Sequence, residues 1–80
     1  MNIQFTKRAF EDYTSLPLQY KELVDKILNK LENGIPVDIK PIQGEKDTFR
    51  IRVGKYRMLF NKIQHDILIF KIKKREDVYR

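Results

Sequence analysis

The sequence predicts an α+β fold: a strand, then a two-helix hairpin packed on one face of a small, mainly antiparallel sheet of about four strands. Three observations predict it. Apolar residues recur at helical spacing between Tyr20 and Leu31, then at alternate positions between Phe49 and Phe60, so the hydrophobic period switches from helix to strand along the chain. Two short turn sequences, Gly54–Lys55 and Gln64–His65–Asp66, divide the second half into three strands. The chain has 80 residues, which is one domain over 1–80 and no more.

Each element follows in order. In residues 1–5, Ile3 and Phe5 alternate with Asn2 and Gln4, as in a short strand. Thr6 can cap a first helix that carries Phe10 and Tyr13 on one face. Ser15, Leu16 and Pro17 interrupt it, and proline is tolerated in the first turn of the next helix. In that helix Tyr20, Leu23, Val24, Ile27, Leu28 and Leu31 keep the i, i+3, i+4 pattern, and Asn33–Gly34 closes it as a left-handed cap would. Residues 35–47, with Pro36, Pro41 and Gly44, read as a long connection, either extended and packed or partly mobile. Strands are expected over 48–53, 56–62 and 67–72. The last is apolar on both faces at first, which suits an interior strand. The second helix has one apolar stripe, so the helices cover one sheet face and leave the other open.

Charge says what the open face is for. The chain carries 17 Lys/Arg against 11 Asp/Glu, a net charge of +6. Residues 1–45 hold six basic and seven acidic residues; residues 46–80 hold eleven and four. A basic half of this density points to an anionic partner, nucleic acid above all, because clustered Lys/Arg release counterions from phosphates. The competing reading is a solubilising surface. There is no cysteine, so disulfides and thiolate chemistry are excluded. The opening residues contain no apolar run of signal-peptide type, and no stretch nears the roughly 18 apolar residues of a membrane span. The expected location is the cytoplasm.

Arg50 and Arg52 are two apart on one strand and leave it on the same side. If Gly54–Lys55 is the turn, Val53 faces Tyr56, Arg52 faces Arg57 and Ile51 faces Met58. Like charges directly opposite one another destabilise a sheet. A phosphate between them would remove the conflict, since guanidinium forks match phosphate oxygens. Lys71 and Lys73 share one parity on the last strand and are favoured for the same groove, with Arg75 and Tyr79 following. A tyrosine beside a basic groove can stack on an RNA base. His65 falls in a turn, where a surface role outweighs a catalytic one. No carboxylate cluster suggests a metal, and no glycine-rich loop suggests a nucleotide cofactor.

The run FRIRVGKYRMLF, followed by an apolar strand and KKREDVYR, resembles the RelE/ParE toxin superfamily. The family pattern is roughly aromatic–Arg–Ile/Val–Arg–x–Gly–x–Tyr–Arg, then a strand, then a basic segment ending in Val–Tyr. The helix hairpin and the PIQG segment, similar to a Leu–x–Gly loop of the family, extend the resemblance over nearly the whole chain. It implies a RelE-like fold and a toxin of a type II toxin–antitoxin system. RelE-type members cut mRNA in the ribosomal A site, using the RNA's own 2′-OH, without metal or cofactor. The implied catalytic residues are Arg50 and Arg52 at the phosphate and 2′-OH, Arg57 on the transition-state phosphate, Arg75 near the leaving 5′-oxygen, and Tyr79 stacking on the substrate. Lys55, Lys71, Lys73 and Lys74 would add RNA contacts.

There are departures. RelE itself has lysines where Arg50 and Arg52 stand, and arginine stays protonated. Lys74 stands where many relatives place a histidine and is a candidate acid. A cognate acidic antitoxin wrapping the basic face is also implied, in a hetero-oligomer. Two alternatives remain open: a ParE-like inhibitor of DNA gyrase, and an RNA-binding relative with weak or no activity.

Overall fold

The structure, a computed structural model, describes residues 2–74. It contains β1 (Asn2–Phe5), α1 (Lys7–Thr14), α2 (Leu18–Glu32), β2 (Ile39–Pro41), β3 (Thr48–Val53), β4 (Tyr56–Ile63) and β5 (Asp66–Lys74). Local chemistry sets the helix ends. Thr6 is extended, and its hydroxyl accepts from the Ala9 N–H at 3.1 Å, starting α1 as expected. Pro17 is the residue before the first turn of α2, one step earlier than its expected place inside that turn. At the far end Gly34 takes φ +67°, Gly34 N–H bonds the Leu31 carbonyl and Ile35 N–H bonds the Lys30 carbonyl. That double bond pattern satisfies carbonyls the helix would otherwise orphan. Tyr13 Oη donates to Asp25 Oδ1 at 2.7 Å and ties α1 to α2. This bond, with some burial and the carboxylate charge, holds the Tyr13 phenol above its ordinary pKa of 10.

The sheet has five strands in the order β1-β5-β4-β3-β2. β1 runs parallel to β5, and the other three pairings are antiparallel. The fifth strand is β2, inside the expected connection. Its three residues are exposed on both sides and become a strand only by pairing Ile39 with Ile51 and Pro41 with Phe49. The rest of that connection is mostly exposed, with turns over 43–47; only Val37 and Ile42 are partly buried. Ile42 N–H bonds the Thr48 carbonyl and Lys62 N–H the Asp47 carbonyl, both at 2.9 Å. β5 is interior, between β1 and β4, as its sequence suggested.

Both helices pack on one sheet face. Ala9, Leu16, Val24 and Leu31 meet Ile51, Val53, Met58, Phe60, Ile67, Ile69 and Ile72. Ile69 and Ile72 are three apart yet share this face because a bulge separates the pairs Leu59–Lys71 and Phe60–Ile69, leaving Phe70 as the extra residue. Leu23 departs from the expected stripe: it is 40% exposed, at the stripe's margin. Phe10 is 55% exposed and touches Phe5 ring-edge to ring-face. Among the described residues, no helix is long and apolar enough to cross a membrane.

Candidate nucleic-acid interface

The face away from the helices is organised by register. Arg52 pairs with Arg57, and Arg57 pairs with Lys73, so three cations lie in one row across β3, β4 and β5. The next row runs Lys40, Arg50, Leu59, Lys71 across four strands. Neighbouring strands are about 4.8 Å apart, so each row gathers its charges within about 10–15 Å. The row after that, Thr48, Asn61, Leu68, Gln4, is uncharged. The basic area therefore ends two rows from the β3–β4 hairpin.

The expected cross-strand pair of Arg52 and Arg57 is present, as are Val53–Tyr56 and Ile51–Met58. The two-residue turn, with Gly54 at φ +60°, fixes that register. Gly54 also lies under Tyr20, whose ring meets Tyr56 edge-on at 4.8 Å, so the start of α2 braces the hairpin.

The face is less open than expected. Arg57 and Leu59 at its centre are 2% and 8% exposed. Arg52 is exposed, and Arg50, Lys71 and Lys73 are half-buried around them. An anion would meet Arg52 first and Arg57 only at depth. Lys55 is on the hairpin turn, next to the first row. Lys74 stands apart: it pairs with Tyr56, on the helix-covered parity, and lines a shallow pocket with Asp12, Ser15, Leu16 and Lys73. Lys73 Nζ is 3.8 Å from Asp12 Oδ1. Arg75 and Tyr79 lie outside the described residues.

Two participants were not anticipated. Lys40 joins the second row because β2 pairs with β3. Its signal in the sequence was slight: a cation next to Pro41 in a segment without alternation. Asp12 reaches β5 from 60 residues away, which no local pattern encodes. His65 is exposed in the β4–β5 turn. Among the described residues, no group of three His, Cys, Asp or Glu could hold a metal ion.

Comparison with known proteins decides the family. The model for the ParE toxin of type II toxin–antitoxin systems, parDE, matches residues 3–79. The chain belongs to this toxin family. Within the wider RelE/ParE superfamily it is similar to RelE1 of Methanocaldococcus jannaschii, named as a toxin, at 33% identity over 88 aligned positions, covering 99% of this chain and 94% of the relative. Among solved structures it is similar to a chain of the RelB–RelE antitoxin–toxin complex from Methanococcus jannaschii, with TM-score 0.84, 25% identity, and 95% and 94% of the two chains covered. It also matches a chain of the RelE–RelB complex from Pyrococcus horikoshii OT3, with TM-score 0.73, 26% identity, and 92% and 93% covered. The isolated RelE toxin of E. coli shares the fold, at TM-score 0.72 and 21% identity over 98% of this chain and 89% of that one. The RelE-like fold of this ParE-family toxin is thus the one its sequence predicted, with one strand more.

Proposed function

We propose that this toxin is a ribosome-dependent endoribonuclease that inhibits translation by cleaving mRNA through its own 2′-OH. The observation that carries the reading is the pair of cation rows, Arg52–Arg57–Lys73 and Lys40–Arg50–Leu59–Lys71. Such rows favour a bound phosphodiester, and they favour a pentacoordinate phosphorane more, because its oxygens carry more charge. In the reaction the 2′-oxygen bonds to phosphorus, the bond to the 5′-oxygen breaks, and a 2′,3′-cyclic phosphate and a 5′-hydroxyl result.

Arg50 and Arg52 would bind the phosphate, and Arg57 would stabilise the phosphorane from its buried position. Arg75 would meet the leaving 5′-oxygen, and Tyr79 would stack on a base. Lys55, Lys40, Lys71 and Lys73 would hold flanking phosphates. Arginine stays protonated, so the rows supply charge rather than a base. Lys74, on the other parity from Arg57, is poorly situated as the acid. Proton transfer then falls to water or the ribosome, and losing a well-placed base costs on the order of 10²–10⁴ in rate.

A partner follows from the same face. A cognate antitoxin with an acidic, extended segment would meet Arg50, Arg52 and Lys71 with its carboxylates. Two of the solved relatives are antitoxin–toxin complexes, which supports this.

The experiment is induction of the parent, Arg57→Ala and Tyr79→Phe chains in cells, with transcript ends mapped. The nuclease reading expects cuts within translated frames for the parent and loss of cuts for both variants. Equal translation arrest by all three would sink it. A second reading, inhibition of DNA gyrase, is favoured by the match to the ParE model itself. It expects gyrase–DNA adducts with transcripts intact.

A further inference from the structure

β5 outruns its neighbour. β1 pairs with residues 66–69 only, so beyond Ile69 that side of β5 has no strand beside it. Helix α1 takes over there. Thr6 N–H bonds the Ile69 carbonyl at 2.9 Å, and Asp12 Oδ2 accepts from the Ile72 N–H at 3.1 Å. The other oxygen of the same carboxylate, Oδ1, is 3.8 Å from Lys73 Nζ. The Asp12 side chain is only 14% exposed and that of Lys73 34%.

Each half of this arrangement has a physical meaning. A strand N–H without a partner needs either water or an acceptor, and an open edge invites another strand. A carboxylate in the last turn of α1 answers both needs. Yet a carboxylate beside a row of cations lowers the affinity of that row for phosphate, because the two anions compete for Lys73. A surface shaped for affinity alone would not contain it.

We propose that Asp12 is a positioning residue for the basic face. It fixes the end of β5 through Ile72 and holds Lys73 at the end of the Arg52–Arg57–Lys73 row, releasing that ammonium only when a phosphate outcompetes it. The charge half rests on the reading that this face binds RNA; the strand half does not.

The test uses the full chain as parent, Asp12→Asn and Asp12→Ala. Asparagine keeps an acceptor for Ile72 but loses the charge, and alanine loses both. Amide exchange at Ile72 should be near parental in Asp12→Asn and at least about tenfold faster in Asp12→Ala, with Met58 and Phe60 amides unchanged as the check on folding. Binding of a short single-stranded RNA is then followed against salt. In the parent, Lys73 leaves Asp12 for phosphate and the vacated carboxylate takes a cation back from solution, which offsets one released counterion. Asp12→Asn has no such uptake, so the slope of log K against log salt should steepen by up to about 0.7. In a Lys73→Ala background Asp12→Asn should leave the slope alone. A purely structural Asp12 would change exchange and not the slope. Unchanged Ile72 exchange in Asp12→Ala overturns the proposal, and so does an unchanged slope in Asp12→Asn when the parent binds RNA. If Asp12→Ala unfolds, Asp12→Asn alone and with Lys73→Ala decides. A parent that binds no RNA defeats the RNA reading, and the proposal is then decided by Ile72 exchange.

Discussion

Gly54 and Tyr20 are in contact so close that a methyl group on Gly54 would sit 2.7 Å from Tyr20 Cε1. Gly54 also holds φ +60°, which costs a side-chain-bearing residue about 1–2 kcal/mol. Gly54→Ala should therefore destabilise the protein by about 1–3 kcal/mol, a fall in Tm on the order of 10 °C for a chain of this size. Thermal unfolding checks it. In a Tyr20→Ala background only the backbone share of the loss should remain.

Arg52 and Arg57 oppose one another across the hairpin. Arg52→Gln removes one member of a like-charge pair, so Tm should hold or rise slightly. Affinity for single-stranded RNA should fall, and the salt slope should drop by about 0.7 if Arg52 engages one phosphate. A variant that is less stable, with RNA affinity intact, would contradict the assignment of this row to phosphate. Thermal melts and salt titrations on the same preparations give both values.

Gln64, in the β4–β5 turn, has φ +56°. Relief of left-handed strain by glycine is worth about 1–2 kcal/mol, and glycine's extra unfolded-state freedom takes back about 0.5–1. Gln64→Gly should accordingly gain about 0.5–1 kcal/mol in denaturant unfolding.

The Tyr13–Asp25 bond predicts an alkaline transition. The folded-state pKa of Tyr13 is raised, so the folded chain keeps this proton to higher pH than the unfolded chain. Its stabilisation is complete below the unfolded value near pH 10 and is lost as pH rises through the folded value. Stability of the parent should fall above pH 10 more than that of Tyr13→Phe, and the two curves should converge there.

What could be read in the residues was whatever local chemistry decides. Thr6 as a cap and Gly34 as a left-handed residue follow from one side chain, or from its absence. The opposition of Arg52 and Arg57 follows from a two-residue turn, which leaves no freedom in register. What could not be read depends on distant partners. Ile39–Pro41 has neither alternation nor length, and is a strand because β3 offers an edge. The bulge at Phe70 is set by packing of Ile69 and Ile72 against the helices. The burial of Arg57 and the reach of Asp12 to Ile72 are likewise tertiary, with no trace at helical or strand spacing. The family resemblance supplied roles for Arg75 and Tyr79, which no geometry here addresses.

The parallel pairing of β1 with β5 joins Ile3 to Ile67 and Phe5 to Ile69, residues 64 positions apart. β5 also brings Lys71 and Lys73 to the two cation rows. During synthesis the first strand therefore waits for the last, since a contact of this sequence separation closes late. A nascent chain stopped before residue 66 lacks Ile67, Ile69 and Ile72 of the core and one cation of each row. Folding of the toxin thereby depends on the chain through β5, and a fragment that ends earlier lacks the strand that joins the first strand to the sheet and adds Lys71 and Lys73 to its basic face.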